Sequence, residues 1–471
     1  MPWLETILIL LVTLNALVAF VTHPRRSAVI ALSALALLTC VAHALCEGLH
    51  WQMGPAYLAL LISFTLGFAS VTLIRRLISL ACITLALVAC AFSIYLPIFH
   101  LPPPTGSYAI GTQIISLVNP APKAPGAAEA NGQRALMIQL WYPASPSRQP
   151  IAPYRILKET TRLSSYQSVT PTHARWNAPS AAAGAPFPIL LLNPAWNGRR
   201  TYYMYLVEEL VSHGYIVVGI DHTGNSGPTA FPDGHVNQPD PDPGLDFEAH
   251  SYDEVNAYGA RVQKIQVEDD QFVLDQLAAW NQQPGNFYQN RLDLARVGAF
   301  GHSFGGSVSA ELCRIDPRVK SALDMDGSFW PPVQNNGLAK PLMMIEEDYA
   351  QFTPDDLKKN HADAIEYAFD QSDDRTMANS NGYRAVLHGS SHVSYTDRSL
   401  FSPFQRESGV GAIPGLREYA IIRSYALAFF NKTLNGVDSP ILSSSYRGFP
   451  EATFTILRRP AEPISPQDRN M

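Results

Sequence analysis

The sequence predicts an α/β domain built on a mostly parallel sheet and preceded by four transmembrane helices. Charge is segregated along the chain. Residues 1–100 hold only Glu5, Arg25, Arg26, Glu47, Arg75 and Arg76, six of the 74 Lys, Arg, Asp and Glu residues. After residue 134, short apolar runs of strand length alternate with stretches of helical periodicity, the pattern of consecutive βαβ units. A hydrophobic content of 47% over 471 residues is ample for one large core and a membrane segment besides.

The membrane part comes first. Apolar runs at 3–21, 27–46, 55–73 and 77–99 each approach the ~20 residues that a helix needs to cross a bilayer core. The first run lacks a basic n-region and a small-x-small cleavage pattern, and Arg25 and Arg26 follow it, so it reads as a retained span rather than a cleaved signal. Arg25/Arg26 join spans one and two and Arg75/Arg76 join spans three and four, whereas the loop from Glu47 to Tyr57 has no Arg or Lys. The positive-inside rule then makes both pairs cytoplasmic, and an even number of spans returns the chain to the outside. The expectation is a multi-pass protein of the cell membrane with an extracytoplasmic soluble domain. Its charged residues lie at the ends of the spans, which fits anchoring better than transport.

Residues 101–134 read as a linker and first strands: His100-Leu-Pro-Pro-Pro-Thr105 is stiff and extended, and 120–133 is an Ala/Pro/Gly-rich loop. The main soluble domain spans 135–440, followed by a tail over 441–471. Within it Ala135 to Pro143, Pro188 to Asn193, Tyr215 to Asp221, Ala295 to Phe300, Lys340 to Ile345 and Tyr383 to Leu387 read as strands. Helical patterns fall at 203–213, 260–280 and 416–434, the last closed by Gly436. The stretch 226–256 is too long for an ordinary connector and is expected to form a wall or lid over a site.

Removing the six charges of the membrane part leaves 30 basic against 38 acidic residues with no basic run, which argues against a nucleic-acid partner. Cys313 is the one cysteine outside the spans, so no disulfide can form within the soluble part, and it reads as a small core residue. No His-Glu-x-x-His or clustered Cys/His spacing occurs. Asp233, His235, Asp240, Asp242 and Asp246 read as a solvated loop, and neither a metal nor another cofactor is expected.

The chemistry rests on Gly301-His-Ser-Phe-Gly305, a G-x-S-x-G pattern with a strand before it and a helix rich in small residues after it. That context exposes a nucleophilic serine, Ser303, on a sharp turn. Serine needs a base, and in such sheets an acid and a histidine follow it in that order. Of His361, His388 and His392, the last follows the loop Gly389-Ser-Ser391 and is favoured. The acid is Asp326 or Asp324. Asp326 is preferred because it lies later, past the strand, and Gly327 permits a tight turn beside it. Backbone N–H groups of Phe304 and of Ala195 or Trp196 would hold the oxyanion, since Pro194 has no N–H.

These residues resemble the platelet-activating factor acetylhydrolase group (plasma and intracellular isoform II) of α/β-hydrolases, with its dienelactone-hydrolase-like and polyesterase relatives. The resemblance runs from Ile138 to Gly436 and is carried by Ile138-Gln-Leu-Trp-Tyr-Pro143, Ser212 to His222, Gly301 to Gly306, Met325-Asp-Gly-Ser328 and Gly389-Ser-Ser-His392. It implies an α/β-hydrolase fold, a Ser303–Asp326–His392 triad, no metal, and activity on short or oxidised acyl esters, including phospholipid sn-2 esters. No obligate protein partner is implied. Asn193-Pro194 replaces the usual His-Gly or Pro-Gly of the group, which bears on the second oxyanion donor. Rival readings are a general carboxylesterase, lipase, polyesterase or dienelactone-hydrolase-like enzyme, and a non-catalytic membrane-anchored binding protein on the same scaffold.

Overall fold

The computed structural model describes residues 2–22, 25–119, 129–130, 133–239 and 245–460. The chain divides into two compact units, one formed by Met1–Leu101 with Ala152–Thr172 and Arg398–Ser408, the other by the remainder. Most of the expected loop over 120–133, together with Asp240 and Asp242, falls outside the described residues.

In the first unit the apolar runs become helices α1 (Trp3–Val21), α2 (Arg26–Cys46), α3 (Gly54–Ser63) and α4 (Thr72–Tyr95). Of these α1, α2 and α4 are long and apolar enough to cross a membrane. The third expected span differs. α3 has 10 residues and passes into a 3-10 turn, Phe64–Gly67; at ~1.5 Å per residue the helix alone covers only about 15 Å. The Ser63 and Thr65 hydroxyls turn back onto the carbonyls of Leu60 and Ile62, each at 2.7 Å. Such side chains compete for the acceptors that a continuing α-helix would use, and hydropathy alone does not register them.

Small buried residues, Ala16, Ala56, Ala59, Ala86 and Ala89, bring these helices close together. One end of the bundle collects polar groups: His43 meets Glu47 at 3.0 Å and Tyr57 at 2.7 Å, and His50 meets Glu5 and Gln52 at 2.9 Å each. The other end collects arginines. Arg75 donates to the Ala19 carbonyl at 3.0 Å, Arg26 stacks on Phe68 at 3.9 Å and Arg76 lies over Phe20. The two later segments complete this unit: Trp51 donates to the Leu163 carbonyl at 2.9 Å, Phe99 packs on Tyr154 and Phe401, and Tyr95 stacks on Phe404.

The described residues form a twelve-stranded sheet, most of whose strands belong to the second unit. The strands that position the site are β1 (Ala109–Asn119), β2 (Gln133–Ala144), β3 (Phe187–Asn193), β4 (Ile216–Asp221), β5 (Leu292–His302), β6 (Val319–Met325), β7 (Pro341–Glu347), β8 (Asn381–Leu387) and β9 (Ala452–Leu457). Their spatial order is β9-β8-β7-β6-β5-β3-β4-β2-β1. The run from β8 to β4 is parallel and the flanking strands are antiparallel. Every residue of β3 and β4 is buried, as befits strands covered on both faces. The mostly parallel sheet of the sequence reading is therefore present. β9 lies in the stretch read as a tail.

Helices α5 (Met204–Ser212), α6 (Tyr252–Gln282), α7 (Phe304–Ile315), α8 (His361–Ala378) and α9 (Gly415–Asn435) belong to this unit. α6 begins eight residues before the expected start because Ser251 and Glu254 form a capping box. α9 stops at Gly436, whose φ of 70° is the left-handed conformation that favours glycine after a helix. Cys313 is buried in α7.

Candidate active site

Ser303 occupies the single residue between the end of β5 and the start of α7, with φ 55° and ψ −126°. This backbone is strained for a residue bearing a side chain and persists only where the surroundings over-determine it. Those surroundings are visible. The Ser303 N–H donates to the Met325 carbonyl and the Ser303 carbonyl accepts from the Gly306 N–H, each at 2.9 Å. A Cβ at Gly305 would lie 2.1 Å from the Asn193 carbonyl oxygen, and one at Gly301 would lie 2.1 Å from that of Gly305. The two glycines of the motif are thus a steric requirement of the turn.

Asp326 follows β6 directly. Its Oδ1 accepts the Glu347 N–H at 2.7 Å and its Oδ2 lies 2.6 Å from His392 Nδ1. Burial pulls the His392 pKa down, but the hydrogen bond and charge of Asp326, with the charges of Glu347 and Glu366, outweigh it and raise it above 6.5. Asp324 still lies in β6, fully buried, with Oδ1 accepting the Gly327 N–H at 2.9 Å. Burial and the neighbouring Asp373 and Asp326 push its pKa well up. The turn differs from expectation in one detail. The left-handed residue is Asp326 itself, φ 58°, and Gly327 is needed because a Cβ there would lie 2.2 Å from the Ser303 carbonyl. His388 pairs instead with Asp348 and Thr453, and His361 with the His250 carbonyl.

Phe304 opens α7, and the first N–H groups of a helix have no intrahelical partner. In the loop after β3 the Ala195 N–H donates to the Tyr203 hydroxyl at 3.0 Å, while Trp196 lines the cavity beside Ser303. Of the two expected second donors, Ala195 is engaged elsewhere. Tyr203 Oη is also 3.3 Å from His302 Nδ1, and His302 Nε2 donates to the His392 carbonyl at 2.8 Å. Burial pulls the His302 pKa well down, so this ring is neutral. A chain of hydrogen bonds therefore ties the loop of Ala195 to the histidine loop through the variable residue of the motif. Sequence reasoning passed over Tyr203 and His302. His302 could have been flagged by its place next to Ser303; Tyr203 had no signal.

A cavity of about 370 Å³ is shared by Ser303, Asp326 and His392. Its walls combine aromatic rings, among them Trp196, Phe304, Trp330 and Phe369, with several carboxylates. Leu245 and Phe247, from the long stretch 226–256, also line it. Asp326, Glu347 and His392 place donor atoms within 4.8 Å of one another, as do Glu5, His43 and Glu47 in the first unit. A metal ion at the former group would compete with the contact between His392 Nδ1 and Asp326.

Residues 133–434 match the family described as Platelet-activating factor acetylhydrolase, isoform II. The chain is 25% identical over 280 residues to a "Probable 1-alkyl-2-acetylglycerophosphocholine esterase" of Arthroderma benhamiae, covering 57% of this chain and 66% of that protein. It is 24% identical over 285 residues to a platelet-activating factor acetylhydrolase of Cavia porcellus, covering 56% and 61% respectively. The chain thus spans just under two thirds of the length of these relatives. A solved ferulic acid esterase from Streptomyces cinnamoneus superposes with a TM-score of 0.61 at 29% identity, over 76% of this chain and 99% of that one.

Proposed function

Because the chain belongs to the platelet-activating factor acetylhydrolase, isoform II, family, we propose that it is a serine hydrolase of carboxylic esters. The substrates proposed are short-chain or phospholipid sn-2 esters of the 1-alkyl-2-acetylglycerophosphocholine type. The observation that carries the reading is the 2.6 Å contact between His392 Nδ1 and Asp326 Oδ2, on a cavity into which a strained Ser303 is held. Asp326 fixes the imidazole with Nδ1 protonated, which leaves Nε2 as the base.

In this mechanism Ser303 Oγ attacks the ester carbonyl while its proton passes to His392 Nε2. The oxyanion is held by the N–H of Phe304 and, with Ala195 engaged by Tyr203, by that of Trp196. Collapse breaks the ester C–O bond, His392 protonates the departing alkoxide, and water then hydrolyses the acyl-enzyme by the same steps in reverse roles. The aromatic walls favour short acyl groups. A second reading, a carboxylesterase for small soluble esters, draws on the likeness to the ferulic acid esterase. The three apolar helices and the arginine positions support a multi-pass membrane protein with its hydrolase domain outside the cytoplasm.

The test uses the full chain in detergent with p-nitrophenyl esters and an sn-2 acetyl phospholipid. Ser303→Ala should lower turnover on the order of a millionfold and abolish fluorophosphonate labelling. Undiminished labelling of the variant would remove Ser303 from the mechanism, and faster turnover of palmitoyl than acetyl esters would exclude the short-acyl assignment.

A further inference from the structure

We propose that Asn193 and Ser309 are positioning residues that hold the two halves of the oxyanion hole together, an inference that rests on the esterase reading. Those halves are the N–H of Phe304, which opens α7, and the N–H of Trp196, in the loop after β3. Backbone pairing between β5 and β3 stops at Gly301 and Asn193. Pro194 has no N–H with which to carry the ladder further.

Beyond that point a side chain takes over. Asn193 Nδ2 donates to Ser309 Oγ at 3.1 Å, and Ser309 Oγ donates to the Gly305 carbonyl at 2.8 Å. The bridge thus runs from the last residue of β3, which leads into the Trp196 loop, to the residue directly after Phe304. The two backbones are also in close approach, since a Cβ at Gly305 would lie 2.5 Å from the Pro194 carbonyl oxygen.

The direction of the amide is fixed. Ser309 commits its proton to Gly305, so the Asn193 atom that faces it has to be a donor. The same Nδ2 donates to Asp270 Oδ2 at 2.9 Å, and Oδ1 faces His222 Nε2 at 3.0 Å. Behind them His222 Nδ1 meets Asp269 Oδ2 at 2.9 Å, and Arg134 binds both Asp269 oxygens at 2.6 Å each. All six side chains are buried, and none of them is among the described residues that line the cavity. Burying so many polar groups costs free energy, but a network whose members pair with one another rigidifies what it holds. Its effect on the reaction can then come only through placement. An oxyanion is held by donors about 2.7–3.1 Å away, and a shift of about 0.5 Å in one half already loosens that hold. The loss should fall on the transition state and leave ground-state binding unchanged.

The experiment uses the full chain in detergent with p-nitrophenyl butyrate as substrate, and expresses activity per site titrated with a fluorophosphonate. Two ketones of matching chain length are the inhibitors. With 1,1,1-trifluoropentan-2-one, Ser303 Oγ adds to the carbonyl carbon, its proton passes to His392, and the carbonyl oxygen becomes the oxyanion. Pentan-2-one occupies the same place without addition. Ser309→Ala, a small change that a helix tolerates, should lower kcat by about tenfold to a hundredfold. The Ki of the trifluoro ketone should rise by the same factor, while KM and the Ki of pentan-2-one stay within about twofold. Asn193→Ala should do the same, and the double variant should be no more than about twofold worse than the worse single, because both break one bridge. If Asn193→Ala does not fold, Ser309→Ala decides alone. Unchanged kcat and trifluoro ketone Ki in Ser309→Ala would overturn the inference, and so would an equal loss for both ketones, the mark of a merely structural role. If the unaltered protein cleaved no ester and Ser303 took up no fluorophosphonate, the esterase reading would fail and this inference with it.

Discussion

Asp324 and Asp326 stand two positions apart on one chain, yet their surroundings differ. Asp324 is enclosed, its pKa pushed up by burial, and engaged with the Gly327 N–H, whereas Asp326 takes one hydrogen bond from the Glu347 backbone and turns its other oxygen to His392. Asp326→Asn should therefore lower turnover by roughly ten-thousandfold through the wrong imidazole tautomer. Asp324→Asn replaces a fully buried acid, bonded to the Gly327 N–H, by a group of the same shape and should act chiefly on stability. Steady-state kinetics on both folded variants decides; the reverse ranking would make Asp324 the acid. The proposed mechanism also needs His392 neutral. Its pKa is raised, so kcat/KM should fall as pH drops through a value above 6.5. Glu347→Gln removes one of the charges that favour the imidazolium, so the acid limb of the pH profile should move to lower pH. An unmoved limb would dissociate Glu347 from His392. At this scale Ser303 and His392 were legible because local motifs encode them. The link from Tyr203 through His302 to His392 was not, since it joins residues 99 and 90 positions apart.

Strands such as β3 and β4 could be read directly, because an apolar run bounded by turns leaves few other solutions. β9 escaped notice: it alternates small, polar and apolar residues at a sheet edge. The sharpest divergence concerns Ala152–Thr172 and Arg398–Ser408. They lie within the stretch read as one soluble domain, yet they group with the four N-terminal helices. Only three-dimensional contacts could disclose this, for example Phe99 with Tyr154 and Phe401. A fragment starting at Pro102 should consequently be less stable than the full chain. It leaves Tyr154 and Phe401 without Phe99, Phe404 without Tyr95 and the Leu163 carbonyl without Trp51. Each large ring that loses its burial costs about 1.5–3 kcal/mol. Thermal melts in the same detergent check this. A fragment that stays monodisperse and melts within about 1 °C of the full chain, a margin below that of a 1 kcal/mol loss at this size, would show that the two segments do not depend on the helices.

If the first unit crosses a membrane as proposed, the side on which the domain of the large sheet lies depends on the number of crossings, and α3 makes the count instructive. Three helices have the length of a span, and an odd number of crossings would put the domain on the same side as the arginines between α1 and α2. The packing inside the first unit argues otherwise. α3 begins just after His50 and Gln52, at the end where Glu5, His43 and Glu47 gather. The 3-10 turn that follows it ends at Gly67, whose Cβ position would lie 3.5 Å from the Arg26 side chain, and Phe68 stacks under the Arg26 guanidinium. The short helix and its turn together therefore carry the chain to the arginine end. α4 starts there, with Arg75 bonded to Ala19, and returns the chain to the other end at Gln52, which donates to the Leu96 carbonyl at 3.0 Å. On this packing we propose four passes between two chemically different ends, although only three of the helices have the length of a span. On that proposal the positive-inside rule makes the arginine face cytoplasmic, and the domain of the large sheet should be exposed outside. A membrane-impermeant protease added to intact cells, with any outer barrier permeabilised, should trim the domain. Cleavage seen only after full lysis would reverse the topology. Moving charge should move the domain: replacing Arg25, Arg26, Arg75 and Arg76 by Gln while placing two lysines in the loop between Glu47 and Trp51 should yield protease-protected molecules. Full exposure of that variant would separate orientation from the arginine pairs.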